Sequence, residues 1–290
     1  MRFDIVTIFP GFFAGIFEHG IVRRAQAEER VTIAVHDLRS FTEDRHRTVD
    51  DRPFGGGEGM VLKPEPLAAA LASLGIGPKP AADPQAQPPG SPGSRDDAST
   101  GKPLTCVFLL SAQGRRFHQG LARRIAALDR VVLICGRYEG VDERVNQLFC
   151  DMELSIGDYV LSGGELAAAV VVDAALRLVP GVLGNQASSE FESFGAPDAE
   201  IAPEIASRRQ GVPRSQHGAG GLLDYPHYTR PVEFQGLKVP EVLVNGDHQQ
   251  IRRWRREQQL RKTLRNRPDL LDGAELSAED RQLLQVLRSE

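Results

Sequence analysis

The 290-residue chain is long enough to bury a sizeable core, as one large domain or two smaller ones. Its 41% hydrophobic and 26% charged residues are ordinary for a soluble globular protein, and the net charge of −4 excludes a whole-chain basic footprint, so any nucleic-acid surface must be local. The three cysteines, Cys106, Cys135 and Cys150, form no CxxC pair and fall in or beside expected core elements, as reduced thiols of a cytosolic protein do. The first residues, MRFDIVTIF, lack the long apolar region and cleavage site of a signal peptide. The longest apolar run, residues 166–172, falls far short of the ~20 residues a membrane helix needs. A cytoplasmic protein is expected.

In chain order, residues 3–9 read as a buried strand broken by Pro10 and Gly11. Residues 12–28 carry a helical pattern and residues 31–35 a second strand. Such a βαβ unit predicts a parallel sheet with a right-handed crossover. A polar stretch, residues 39–53, leads into Phe54-Gly55-Gly56-Gly57-Glu58-Gly59-Met60. These glycines permit positive φ and close backbone approach, but no Gly-Lys-Ser/Thr follows, which excludes a nucleotide-triphosphate P-loop. A structural turn and part of an RNA or substrate surface both remain open for this loop. Residues 64–74 read as a short helix. Residues 75–103, rich in Pro, Gly, Ala and Ser, read as a flexible surface insertion without a core.

Residues 104–110 read as a third strand, followed by Ser111-Ala112-Gln113-Gly114-Arg115-Arg116 and a helix to about residue 128. The informative stretch is 131–165, VVLICGRYEGVDERVNQLFCDMELSIGDYVLSGGE. Two apolar runs, 131–135 and 152–156, stop at Gly136 and Gly157. Each opens a loop rich in Gly, Asp, Glu and Tyr, and each loop leads into a helical pattern. Short apolar runs bounded by turn signals read as fully buried strands. Loops at the carboxyl ends of such strands build ligand sites in α/β proteins, so the two loops are expected to line one pocket from both sides. Residues 166–179 read as a helix ending at Pro180. Being apolar on every face from 166 to 172, it is either deeply buried or packed against a second subunit, with a dimer interface the favoured expectation.

Residues 185–221 are polar and aperiodic, a linker with a second insertion around 195–220. Beyond them come Tyr225-Pro226-His227-Tyr228-Thr229-Arg230-Pro231, an extended segment at 238–244, and a helix from about His248 capped by Asn245 or Asp247. Between residues 251 and 267 that helix carries eight Arg/Lys, one Glu and the only tryptophan, Trp254. A basic stripe with an embedded aromatic suits phosphate contact and base stacking.

These residues together resemble the bacterial TrmD family of tRNA (guanine-N1)-methyltransferases, of the SPOUT class. The matching stretches are 46–51 with 54–60, 111–115, 135–145 (CGRYEGVDERV), 155–165 (SIGDYVLSGGE), 180–184 (PGVLG), 226–231 (PHYTRP) and 246–254 (GDHQQIRRW). The resemblance implies an α/β fold: a SPOUT-type parallel sheet with a trefoil knot around residues 110–165, plus a small, mostly helical C-terminal domain. It implies domains at 1–184 for S-adenosylmethionine and 222–290 for tRNA, joined by the 185–221 linker. The implied reaction moves a methyl group from S-adenosylmethionine to N1 of guanosine 37, just 3′ of the tRNA anticodon, in a homodimer whose active site is shared between subunits. Mg²⁺ is associated with the family's catalysis; with no dedicated ligand cluster in the sequence, a loosely held or tRNA-associated ion is expected.

Carried onto this chain, the methyl-donor pocket comprises Leu110, Ser111, Gly114, Gly136, Tyr138, Glu139, Gly140, Ser155, Ile156, Gly157, Tyr159, Leu161, Gly163 and Gly164. Guanine N1 is protonated at neutral pH, so a general base is required, and charge developing on O6 needs a cation or donor. The resemblance puts Arg177 at the assisting position and Glu192 where the family has a linker Asp, with Glu190 nearby. Ala112 and Glu58 are milder departures from the family pattern. Another SPOUT RNA methyltransferase acting on a ribose hydroxyl or a different base, and a catalytically impaired RNA-binding homologue, remain alternatives. A Rossmann oxidoreductase is disfavoured because no GxGxxG follows the first strand.

Overall fold

A computed structural model describes residues 1–79, 103–184, 192–195, 220–274 and 276–289. The chain divides into two compact units, Met1–Gly184 and Asn185–Glu290. The first unit contains strands β1 (Arg2–Thr7), β2 (Thr32–Asp37), β3 (Asp50–Asp51), β4 (Val61–Leu62), β5 (Thr105–Arg116), β6 (Arg130–Cys135) and β7 (Met152–Ser155). Its helices are α1 (Gly20–Ala27), α2 (Pro64–Ser73), α3 (Gln119–Ala126), α4 (Glu143–Phe149) and α5 (Glu165–Leu176). Five strands form a parallel sheet in the order β2-β1-β6-β5-β7.

Burial on both faces explains why the strands read as nearly continuous apolar runs rather than alternating ones. Phe3, Ile5, Cys106, Phe108, Leu110, Val131, Leu133 and Cys135 face one core with Ala168, Val171, Val172 and Leu176 of α5. Their neighbours Val6, Val107, Leu109, Val132 and Ile134 face the other core, with Leu67 and Leu71 of α2 and Val145 and Phe149 of α4.

Two features differ from the sequence expectation. The helical pattern at 12–28 yields only a short 3₁₀ turn at Pro10–Phe13 and then α1, because Gly15 and Gly20 take positive φ and interrupt the helix. The loop expected after residue 110 instead rejoins the sheet: Leu110 and Arg115 both pair opposite Leu154, so residues 111–114 bulge out and β5 runs on to Arg116. The Gly-rich stretch 54–60 is the end of a small hairpin, with Asp50 and Asp51 opposite Leu62 and Val61. Most of the expected 75–103 insertion lies outside the described residues.

The second unit holds a hairpin, β8 (Glu233–Phe234) and β9 (Leu237–Lys238), and helices α6 (His248–Asn266), α7 (Asp269–Asp272) and α8 (Ala278–Ser289). The extended segment expected at 238–244 is confined to β9, since Pro240 initiates a 3₁₀ turn over Glu241–Leu243. Asp247 caps α6 by accepting hydrogen bonds from the Gln249 and Gln250 amides at 2.9 and 3.1 Å. Leu222, Leu260, Leu271, Leu284 and Leu287 form a separate small core. Arg256 on α6 is bound by buried Asp280 of α8 at 2.8 Å, so this part of the basic stripe serves packing.

At the amino ends of the central strands, Asp4 is fully buried between Arg130 of β6 (2.8 Å), Arg2 (2.8 Å) and His36 of β2 (2.8 Å). Burial alone would raise the Asp4 carboxyl pKa, but hydrogen bonds from Arg2, His36 and Arg130 outweigh it and hold the group below the usual carboxylate range. A carboxylate with a depressed folded-state pKa contributes stability that is full above its unfolded value, near 4, and is lost as pH falls through the folded value. Asp4→Asn is therefore expected to destabilise the fold at neutral pH by roughly 2 kcal/mol, by removing the buried carboxylate that the partly buried Arg130 and His36 bind. Urea titrations of wild type and variant from pH 7 to 3 should show that difference shrinking with acid.

Candidate active site

The carboxyl ends of β5, β6 and β7 bring three loops together. The Gly164 amide donates to the Gly136 carbonyl at 2.9 Å, and Arg137 pairs with Gly163 in an antiparallel bridge. A Cβ on Gly164 would lie 2.7 Å from the Cys135 Cα, and a Cβ on Gly114 would overlap the Leu154 backbone. Glycine at these two positions is what allows the backbones to pack this closely. The hairpin at 50–62 joins the same junction: the Glu139 amide donates to the Met60 carbonyl and the Leu62 amide to the Gly140 carbonyl, each at 3.0 Å.

Beneath the loops lies a buried ion pair. The Arg137 guanidinium contacts the Glu165 carboxylate at 2.9 Å, donates through Nε at 3.0 Å, and reaches the Ser162 carbonyl at 2.9 Å. Glu165 is 1% exposed, and Thr7 Oγ1 at the end of β1 donates to its Oε1 at 2.7 Å. Thr7 Oγ1 in turn accepts from the Phe9 amide, and the Phe9 ring lies 4.6 Å from the Arg137 guanidinium carbon. The carboxylate occupies the first turn of α5, where the helix dipole favours negative charge. One ion pair thus joins the β1 end, the 136–141 loop and the start of α5. Burial, with the Glu165 charge, pushes the nearby Cys135 thiol well up, leaving it neutral.

The fourteen residues expected to hold a methyl donor all fall on these three loops or the strand ends feeding them. Leu110, Ser111 and Gly114 lie on the β5 bulge; Gly136, Tyr138, Glu139 and Gly140 follow β6; Ser155, Ile156, Gly157, Tyr159, Leu161, Gly163 and Gly164 follow β7. Leu110 and Ser155 are buried, whereas Glu139 and the rings of Tyr138 and Tyr159 are exposed. Tyr138 has φ of 58° and Gly157 of 158°, and Ser155 Oγ donates to the Gly157 carbonyl at 3.0 Å, fixing the turn. Apolar walls, backbone polar groups and an exposed carboxylate suit an adenosine bearing a cationic amino acid. Arg137, Glu165 and Thr7 escaped the sequence reading, although an arginine directly after a buried strand and a glutamate heading an apolar helix were visible signals.

Arg177 is the C-cap residue of α5 in the first unit. Glu192 belongs to the second unit, in a turn where the Gly195 amide donates to its carbonyl at 3.0 Å. That turn is tied to the start of the C-terminal core: the Phe194 amide donates to the Leu222 carbonyl at 2.9 Å, and the Asp224 amide to Ser193 Oγ at 2.9 Å. Glu190 and most of the expected linker lie outside the described residues.

The chain is similar along its length to proteins of one family. The profile of the family described as tRNA (Guanine-1)-methyltransferase TrmD matches residues 1–273. A tRNA (guanine-N(1)-)-methyltransferase from Koribacter versatilis is 53% identical over 289 residues, covering 100% of this chain and 99% of the relative. Proteins of the same description from Geobacter sulfurreducens (44%, 100% and 99% covered) and Chloroflexus aggregans (46%, 94% and 89% covered) are also similar.

The buried ion pair sets a test. Glu165→Gln leaves Arg137 facing a neutral amide and is expected to cost about 3 kcal/mol; Thr7→Val should cost about 1 kcal/mol through its lost hydrogen bond. Chemical denaturation should show the double variant losing less than the sum of the two single variants, because Thr7 and Glu165 hydrogen-bond each other and either substitution removes that bond.

Proposed function

The chain belongs to the TrmD family of tRNA (guanine-N1)-methyltransferases, and from that premise we propose that it methylates guanosine 37 at a site shared between two subunits. The observation that carries this reading is the junction of three glycine-limited loops over the Arg137–Glu165 pair, which gathers the expected donor residues in one place. S-adenosylmethionine, when bound, supplies a methyl group activated by its sulfonium. Leu110 and Ile156 are assigned to wall the adenine, backbone groups of the 136–140 and 155–164 loops to orient the nucleoside, and the exposed Glu139 carboxylate to balance positive charge.

In this reading Glu192 accepts the N1 proton as the N1–methyl bond forms and the sulfur–methyl bond breaks, and Arg177 stabilises the charge spreading to O6. S-adenosylhomocysteine and N1-methylguanosine leave. Glutamate in place of aspartate lengthens the arm by one methylene, and the short turn at 192–195, anchored to Leu222 and Asp224, supports compensation by the local backbone. The outward stripe of α5, where Leu166 is 49% and Val170 44% exposed, supports a dimer interface. The close passage of residues 111–114 by β7 fits a SPOUT sheet with a trefoil knot. We assign residues 1–184 to the donor, 185–221 to the linker and 222–290 to tRNA, with Mg²⁺ as a loosely held, RNA-associated ion. Among the described residues, no helix is long and apolar enough to cross a membrane.

Methyl transfer to unmodified tRNA, read by mass spectrometry of the nuclease digest, tests the assignment. Wild type should place one methyl on N1 of guanosine 37, and Glu192→Gln should lower kcat about 10²- to 10⁴-fold while leaving donor affinity unchanged. Full activity in that variant removes Glu192 from the mechanism.

A further inference from the structure

The second unit contains a cleft that the methyl-transfer reading leaves unused. It has a volume of about 350 Å³ and lies between residues 225–230 and α6, with Val239, Leu243 and Ile251 among its apolar lining. Aromatic rings line it. Tyr228 and Trp254 stand with ring centroids 6.3 Å apart at 56°, and Tyr225 and His227 at 4.7 Å and 46°. The Arg255 guanidinium carbon lies 4.8 Å from the Tyr225 ring centroid, and exposed Arg230 completes the cationic lining. The Tyr228 side chain is 49% exposed. Among the described residues none of Arg230, Arg252, Arg253 and Arg255 forms an ion pair, whereas Arg256 and Arg261 of the same helix do. The one nearby carboxylate in the 224–230 segment, Asp224, is engaged by the Tyr225 amide at 2.8 Å and by His227 at 3.0 Å.

We propose that this cleft is a nucleotide pocket that takes one unpaired base of the tRNA, other than the reacting guanosine, stacked on Tyr228 and Trp254 with its phosphate on Arg230 and Arg255. Splayed aromatic faces above an apolar floor accept the flat face of a base without reading its edge, and cations free of internal carboxylates complement the phosphate. An apolar peptide would gain nothing from those arginines. The cleft size fits a nucleotide rather than a helix, as small-ligand pockets begin near 300 Å³. The proposal rests on the reading of the chain as a tRNA methyltransferase and adds to it a second point at which single-stranded RNA is held.

Trp254 is the only tryptophan in the chain, so its emission reports on this cleft alone. An unmodified anticodon-arm RNA should quench Trp254 in the full-length protein. Among RNAs carrying a single abasic nucleotide, one position outside the reacting guanosine should abolish the quench and weaken binding roughly 10-fold. Tyr228→Ala should raise KM for tRNA roughly 10-fold with kcat and donor affinity unchanged; Tyr228→Phe should retain the wild-type KM. Arg255→Gln should reduce the salt slope of RNA binding by about one phosphate. Unchanged Trp254 emission in saturating RNA, or a wild-type KM in Tyr228→Ala, overturns the proposal. So does a Tyr228→Ala variant whose sole effect is a shifted monomer–dimer equilibrium, which assigns the cleft to a second copy of the chain. Should Tyr228→Ala fail to fold, the abasic series on wild type decides. Loss of the cleft effects with wild-type methylation intact refutes only the pocket, whereas absence of methylation by wild type refutes the function reading itself.

Discussion

The ion pair between Arg137 and Glu165 is the contact on which the loop junction at the carboxyl ends of the first unit's strands depends. Three loops that differ widely in sequence position must meet at the carboxyl edge of a parallel sheet, and each brings backbone groups with no ladder partner. Glu165, buried at the head of α5, holds Arg137 from the loop after β6 and Thr7 from the end of β1, so helix, loop and strand are located by one carboxylate. A buried charge pair of this kind is weak support for stability, because desolvation offsets its attraction; its value lies in fixing one arrangement. Gly114 and Gly164 supply the complementary constraint, since both positions pack against backbone that no side chain could share.

In the proposed reading, the donor falls to the first unit and the base to Glu192 of the second. The loops that gather the fourteen expected donor residues are internal to the first unit and tied to it by backbone hydrogen bonds. Glu192 is instead carried by a turn fastened to Leu222 and Asp224 of the second unit, beside a small leucine core and a helix rich in arginine.

Much of the fold was legible because buried parallel strands announce themselves as short apolar runs ending in glycine, as at residues 131–136 and 152–157. The cap of α6 was legible to within two residues, Asn245 or Asp247, because a cap acts locally on the next turn; Asp247 is the one that does so. What escaped were features set by distant partners. The continuation of β5 past Leu110 depends on its pairing with Leu154, which no local pattern in residues 111–116 encodes. The helix expected over 12–28 shrank because Gly15 and Gly20 outweighed the apolar periodicity around them. The expected donor residues came from resemblance alone, while the Arg137–Glu165 contact, spanning 28 positions, and the cleft beside Trp254 emerged only in three dimensions.

Amide hydrogen exchange of the full-length protein with and without S-adenosylmethionine tests the central claim most directly. The account predicts slowed exchange in all three loops together, at 111–116, 136–141 and 156–164, and loss of that common protection when Glu165 is replaced by glutamine. Protection confined to the second unit, or to a single loop with the others unchanged, would contradict it.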